Sequence, residues 1–196
     1  MHWCARCALD KFPTILRCTN FVGVIATLQE DQKMTKINKS LHDLWRSTFL
    51  RRWHRNPDLA HTPDTLAGHQ GRVALIIDHY WPNCRKELIV AALKHDLQET
   101  RIGDVCGQAK RDFPSLSFEL DKAEAQIAKD MGLCVDLMAE EIRKLKWADK
   151  LDAYLWAEHH APHVLKQDDW QAQAKWLDLE AESLGLINKD RKEQSS

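Results

Sequence analysis

The sequence predicts an all-α fold, a bundle of about six helices in one domain. Apolar residues recur at intervals of three and four along most of the chain, which is the spacing of amphipathic helices. Alternating apolar and polar runs typical of strands are not evident, and neither are repeats or low-complexity tracts. At 196 residues the chain is long enough for one domain with a full core and too short for two ordinary ones.

In chain order the predicted helices cover residues 37–50, 63–80, 86–99, 117–131, 135–160 and 168–184. In the first, Leu41 and Leu44 belong to an apolar set at helical spacing. Thr62 is predicted to be the N-cap of the second helix, with Pro63 at the first helical position, where the missing N–H of proline costs nothing. Pro82 stops this helix.

Glycine and proline bound the later helices. Gly103, Gly107 and Pro114 are predicted breakers in the loop after the third helix. Gly132 ends the fourth helix and Gly185 follows the sixth, because glycine accepts the left-handed conformation that often terminates a helix.

The fifth predicted helix carries one mainly apolar stripe that includes two aspartates. Its members are spaced by three and four and are Met138, Ile142, Leu145, Asp149, Asp152 and Trp156. Asp149 is therefore predicted to share a face with buried aliphatic side chains. A carboxylate in that position needs a partner.

Residues 1–33 differ from the rest of the chain and are predicted to be a peripheral extension. Their apolar run, residues 21–28, is too short to span a bilayer. Met34 opens an ordinary amphipathic segment, so a second hypothesis is that the native chain begins there. The main domain is predicted to cover 34–188, followed by a polar tail at 189–196.

Composition favours a globular protein with a small-molecule partner. The net charge of -1 and the 44% hydrophobic content give neither the basic excess of a nucleic-acid binder nor the signature of a disordered chain. Neither a nucleic-acid polymer nor a membrane is predicted as a partner. The six cysteines, including a CxxC at Cys4 and Cys7, match neither a disulfide scaffold nor a paired zinc module, which favours reduced thiols in the cytoplasm.

Four residues from three predicted helices form a candidate metal site. They are His69 near the start of the second helix, the doublet His95 and Asp96 near the end of the third, and Asp149 inside the fifth. Two imidazoles and two carboxylates supply nitrogen and oxygen ligands with two negative charges. This set suits one divalent ion of Mn, Co, Fe, Ni or Zn better than Ca or Mg.

Three further residues are candidates for binding or catalysis. Glu99 lies four residues after His95, hence on the same helix face, and can hold or protonate a group beside the metal. Arg52 can bind phosphate oxygens bidentately, and Trp53 beside it can contact a sugar or base. The alternatives are that Glu99 is a solvated helix-end acid and that Trp53 belongs to the core.

Four sequence motifs carry a family resemblance. They are RRWHRNPDL, TLAGHQGRVAL, LIVAALKHDLQETRIGD and LKWADKLDAYLWA, within about residues 37–180. In this order they resemble the HD-domain superfamily, and more closely the compact bacterial and phage HD hydrolases related to the YfbR-type 5'-deoxynucleotidases. The resemblance implies an HD-domain helical bundle. It also implies that the four candidate residues above are the metal ligands.

The resemblance assigns roles to five more positions. It implies that Glu99 and Asp104 are the acid/base and water-positioning carboxylates, and that Arg52 and Trp53 contact the phosphate and the deoxyribose. Lys110 matches a lysine of the same family loop and is expected to add a phosphate contact. The alternative is that Lys110 is solvated.

The chain departs from the family pattern at the edges of the site. Many relatives have Glu-His-Ser around the first ligand, where this chain has Gly68, His69 and Gln70. A proline-rich PxPxK turn is common where residues 106–110 read CGQAK. These departures leave the metal ligands in place but limit the transfer of a substrate.

The predicted function is therefore metal-dependent phosphohydrolysis of small nucleotides. The first expectation is a 5'-nucleotidase that releases orthophosphate from deoxynucleoside monophosphates. The second is a deoxynucleoside triphosphate triphosphohydrolase, as in small phage HD enzymes that deplete dATP. A third, from another class, is a non-catalytic HD module that binds a nucleotide. Relatives are commonly dimers or larger, so a homo-oligomer is expected.

Overall fold

The computed structural model describes residues 39–187 except 104 and 106, and this part of the chain is helical, which confirms the all-α prediction. Eight α-helices are present in it, more than the six predicted: α1 Lys39–Ser47, α2 Leu66–Tyr80, α3 Lys86–Ala92, α4 Glu99–Ile102, α5 Gly107–Asp112, α6 Pro114–Asp130, α7 Ala139–His160 and α8 Asp168–Ser183. A 3-10 helix, Pro162–Lys166, joins α7 to α8. The predicted extension at 1–33 and tail at 189–196 lie outside the described residues.

Within the described residues, no helix combines the length and apolar character needed to cross a bilayer.

The second helix begins later than the sequence predicted. Its N-cap is Thr65, whose backbone is extended. The Thr65 Oγ1 atom accepts a hydrogen bond from the Gly68 N–H at 3.2 Å, which caps the first turn of the helix. The prediction of Thr62 as N-cap is wrong. Thr62 is buried, where its hydroxyl donates to the carbonyl of Leu59 at 2.8 Å and accepts a hydrogen bond from Trp156 Nε1 at 3.1 Å.

The predicted third helix is split in the structure. Between α3 and α4 the backbone forms turns with hydrogen bonds between residues three apart. The Lys94 N–H donates to Ala91 O, and the Leu97 N–H donates to Lys94 O. Gly107 is predicted to break a helix, but it begins α5 instead. Pro114 stands at the first position of α6.

The main core lies between α2, α3, α7 and α8. Its buried side chains include Val73 and Ile77 of α2, Leu88 of α3 and Trp147 of α7. Trp147 Nε1 donates to the carbonyl of Leu177 at 3.0 Å, which joins α7 to α8. The central 22-residue helix α7 therefore carries its middle turns across the inside of the bundle.

The stripe predicted on α7 is only partly buried. Met138 is 57% exposed and Ile142 is 54% exposed, so the expectation that aliphatic residues bury this stripe near its start is wrong. Asp152, farther along the stripe, is only 2% exposed. The stripe is therefore exposed at its N-terminal end and becomes more buried toward Asp149 and Asp152.

Leu88→Ala is expected to lower the free energy of unfolding by about 2–4 kcal/mol, because it removes a fully buried side chain from the main core. Leu75→Ala is the matched control, since Leu75 of α2 is 69% exposed. Urea denaturation of both variants measures the difference. Equal losses of stability in the two variants would contradict the core described here.

Candidate metal centre

Four sequence-predicted ligands meet at one point in the bundle. His69 lies in the first turn of α2, which the Thr65 cap begins, and its side chain is fully buried. His95 and Asp96 lie in the turns after α3, and Asp149 lies in the middle of α7. Residues far apart in the chain are thus brought together by the packing of α2 and α3 against α7.

The donor atoms of this cluster all lie within 4.8 Å of one another. Asp149 Oδ1 is 3.2 Å from His69 Nε2 and 3.8 Å from His95 Nε2. Asp96 Oδ2 is 3.5 Å from His69 Nε2 and 3.2 Å from His95 Nε2. We call these four residues the ligand cluster, and it can hold a metal ion.

The hydrogen bonds of the two imidazoles fit a cation at this point. His69 Nδ1 lies 2.7 Å from Asp152 Oδ2, and His95 Nδ1 lies 2.9 Å from the carbonyl of Ala92. Both acceptors favour a proton on Nδ1, and a neutral imidazole carries only one N–H. The two Nε2 atoms, 3.2 Å apart, then turn lone pairs toward each other and toward two carboxylates. Four such donors fit a divalent cation.

The charges in the ligand cluster shift its pKa values strongly. Burial lowers the pKa of His69, but hydrogen bonds to the neighbouring aspartates outweigh burial and raise it to about 9. Burial also lowers the pKa of His95, but the Asp96 charge and hydrogen bonds to Asp149 and Asp96 raise it to about 10. Burial raises the carboxyl pKa of Asp96 and Asp149, yet the two histidines reverse this and hold both values well below the usual range.

We expect the metal-free protein to lose stability as the pH rises from 6.5 to about 10. His69 and His95 keep their protons in the folded state where the unfolded chain has lost them, so their stabilising contribution is complete below pH 6.5 and disappears through the raised pKa values. The lowered carboxyl pKa values act oppositely, and their contribution is lost in acid.

Thermal unfolding in the presence of a chelator measures how the melting temperature falls as the pH rises. Adding Mn²⁺ should reverse this dependence on pH, because imidazoles bind a metal only when deprotonated. A melting temperature that stays constant over this pH range in the chelator would contradict the charge arrangement of the ligand cluster.

Arg52 lies beside the ligand cluster. Its Nη1 is 3.3 Å from Asp64 Oδ2 and 3.6 Å from Asp152 Oδ2, and the side chain is 17% exposed. Trp53 Nε1 donates to the same Asp64 oxygen at 3.0 Å. Trp53 has a φ of 65°, a left-handed conformation that is rare outside glycine, and its ring also packs against the core cluster that contains Leu59.

A pocket of about 290 Å³ opens next to the ligand cluster. Its lining includes Asp96 together with Glu99 and three basic residues, Arg51, Arg52 and His54. The structure therefore brings a predicted ligand, the predicted acid/base residue Glu99 and the predicted phosphate-binding arginine to one cavity. Trp53 is not among the residues that line it.

Two predicted site residues have a different outcome. Asp104 lies outside the described residues, so its predicted role stays a prediction. Lys110 of α5 forms an ion pair with Glu124 of α6 at 3.1 Å and does not line the pocket beside the ligand cluster. The predicted phosphate contact of Lys110 therefore stays a prediction.

Sequence reasoning assigned no role at the site to three charged residues around His69. Arg72 Nε donates to Asp152 Oδ1 at 2.6 Å, and Arg72 Nη2 donates to Asp64 Oδ1 at 2.9 Å. A signal was present, because Arg72 lies three residues after His69 and Asp152 three after Asp149, on the ligand-bearing sides of their helices. No comparable pattern marks Asp64, which precedes the helix cap.

Comparison of the chain with protein-family models, with curated proteins and with solved structures gave no match. The resemblance to HD hydrolases therefore stays a prediction from the motifs. The geometry alone defines a class of site, a partly buried cluster of two histidines and two aspartates that can hold a metal ion.

Proposed function

We propose that this protein is a metal-dependent phosphohydrolase of the HD type that acts on small nucleotides. The preferred reaction is hydrolysis of a deoxynucleoside 5'-monophosphate to the nucleoside and orthophosphate. One observation carries the proposal: Asp96 of the ligand cluster, Arg52 and Glu99 line one pocket. The pocket would thereby combine a metal ligand, an arginine for the phosphate oxygens and an acid for proton transfer.

The ligand cluster would hold a divalent cation of the Mn, Fe, Co, Ni or Zn type through two imidazole nitrogens and two carboxylate oxygens. The chemistry that such a cation supplies when bound is Lewis acidity toward water and a phosphoryl oxygen. His69 and His95 would each present Nε2 to it, since their Nδ1 atoms face Asp152 and the Ala92 carbonyl. The two carboxylates would balance its charge.

The protein's own side chains would do the remaining work. Arg52 binds the phosphate oxygens and stabilises the charge that develops on them during transfer. Glu99 accepts a proton from the attacking water and returns one to the leaving 5'-oxygen. The P–O bond to the sugar breaks as the bond to the water oxygen forms, so the products are an alcohol and orthophosphate.

The lining of the pocket supports a small nucleotide as substrate. Leu50 and Leu66 supply apolar surface, which suits a sugar or base, while Arg51 and Arg52 supply positive charge for a phosphate. A volume of about 290 Å³ lies at the low end for small-molecule sites. This favours a monophosphate over the alternative substrate, a deoxynucleoside triphosphate.

The test is a panel of deoxynucleoside mono- and triphosphates with Mn²⁺, Co²⁺ or Mg²⁺, in which the inorganic product is identified. We expect orthophosphate from monophosphates, strongest with Mn²⁺ or Co²⁺, and none after chelation. Release of tripolyphosphate from triphosphates would show that the substrates are deoxynucleoside triphosphates, the alternative class, and not monophosphates. Nucleotide binding without any phosphate release by the metal-loaded protein would contradict an enzymatic function and favour a binding module.

A further inference from the structure

Asp152 of α7 connects a metal-ligand candidate to an arginine. Asp152 is only 2% exposed, and its Oδ2 atom lies 2.7 Å from His69 Nδ1. Arg72 binds the same carboxylate with two donors, Nε to Oδ1 at 2.6 Å and Nη2 to Oδ2 at 3.1 Å. Paired contacts of this kind fix the plane of a carboxylate, so the oxygen that faces His69 has little freedom.

Arg72 is itself held on two further sides. Its Nη2 donates to Asp64 Oδ1 at 2.9 Å, and its guanidinium carbon stands 4.3 Å from the centre of the Trp156 ring. Trp156 is in turn anchored by its hydrogen bond to Thr62. Arg72 is therefore constrained by protein contacts, which is the arrangement of a structural support rather than of a group that must move to meet a substrate.

Gly68 makes room for this arrangement. A Cβ added there would lie 3.2 Å from Arg72 Nη1 and 3.6 Å from Asp64 Oδ1. Any larger side chain at this position would press on the guanidinium. The glycine before His69, which is one of the departures seen in the sequence, thus has a physical reason in this chain.

We propose that Asp152 and Arg72 are positioning residues of the metal site. Asp152 holds His69 in the tautomer with the proton on Nδ1, so that the Nε2 lone pair faces the cation, and Arg72 holds Asp152. Through Asp64, which Arg72 and Arg52 share, the same network also holds the phosphate-binding arginine beside the cation. This inference rests on the proposed metal site.

The test uses Co²⁺ alone, whose visible absorption reports both its affinity and its ligand geometry. In Asp152→Asn the amide can turn an N–H toward His69 Nδ1 and favour the wrong tautomer, so we expect Co²⁺ affinity to fall about 10- to 100-fold. Arg72→Lys keeps the charge but loses the paired contact and should cause a smaller loss in the same direction.

The matched controls are the two members of a similar ion pair, whose acid lies on the same helix. Glu141 of α7 is 5% exposed and is bound by Arg85 through Nε at 2.9 Å and Nη2 at 2.7 Å, and neither residue belongs to the ligand cluster. Glu141→Gln and Arg85→Lys are expected to lower the melting temperature while Co²⁺ affinity and spectrum stay unchanged. A purely structural role for Asp152 predicts the same for Asp152→Asn.

The outcomes separate the two proposals. Weaker Co²⁺ binding and an altered spectrum in Asp152→Asn, with unchanged controls, support the positioning role. Equal Co²⁺ affinity in the wild type, Asp152→Asn and Arg72→Lys overturns that role and leaves the proposed function standing. A wild-type protein that binds no divalent cation overturns the proposed function, and the positioning role with it.

Discussion

Asp96→Ala is expected to abolish metal binding and phosphohydrolase activity together, with a loss of at least about 1,000-fold in turnover. Asp96 Oδ2 approaches the Nε2 atoms of both His69 and His95, so the substitution removes the ligand that lies between the two imidazoles. It also removes one of the two negative charges that balance a divalent cation. Elemental analysis of the purified variant, followed by the nucleotide assay, measures both effects.

Asp149→Ala should behave in the same way, because Asp149 Oδ1 approaches the same two nitrogen atoms. Glu158→Gln is the control, since Glu158 is an exposed acid on the same helix and lies outside the ligand cluster. It should keep both metal and activity. Normal turnover by Asp96→Ala would show that the ligand cluster is not the active centre.

The helices were predictable from apolar periodicity, but their ends near the site were not. The sequence between Lys86 and Glu99 has a continuous helical pattern, yet the backbone leaves the helix after Ala92. There the His95 ring bonds back to the Ala92 carbonyl, and the turn presents His95 and Asp96 to α7. Such an interruption depends on packing between helices, which local propensity does not contain.

The ligand cluster was predictable because each member has a metal-binding side chain and stands in a recognisable motif. The supporting network was not, because its contacts join residues about 80 positions apart, as between Arg72 and Asp152. A charged residue three positions from a ligand is common on helices and usually solvated. Only the packing of α2 on α7 shows that two such residues of opposite charge meet.

Asp64 shows the same limit from another direction. In the sequence it falls in the first turn of the predicted second helix, where an acid is ordinary, but the fold buries it to 2% exposure between Arg52, Arg72 and Trp53. The left-handed backbone of Trp53 accompanies this contact. The predicted pair of arginine and tryptophan is therefore held by an acid that the sequence did not single out.

Arg52→Ala is expected to lower kcat/KM about 100- to 1,000-fold while the metal is retained. Arg52 lines the pocket with Asp96 and Glu99 but is not a member of the ligand cluster, so its loss should remove stabilisation of the phosphate oxygens and not of the cation. Co²⁺ affinity should not fall, because the substitution removes a positive charge near the site. Steady-state kinetics and Co²⁺ titration measure the two effects separately.

Two further variants make the role of the guanidinium specific. Arg52→Lys keeps the charge but not the paired geometry, so it should recover only part of the lost kcat/KM. Arg55→Ala removes an exposed arginine three residues away that does not line the pocket, and it should leave the kinetics unchanged. Full activity in Arg52→Ala would contradict a role of Arg52 in binding the phosphate. Loss of the metal in Arg52→Ala would also contradict it, because the loss of rate would then come from the damaged metal centre.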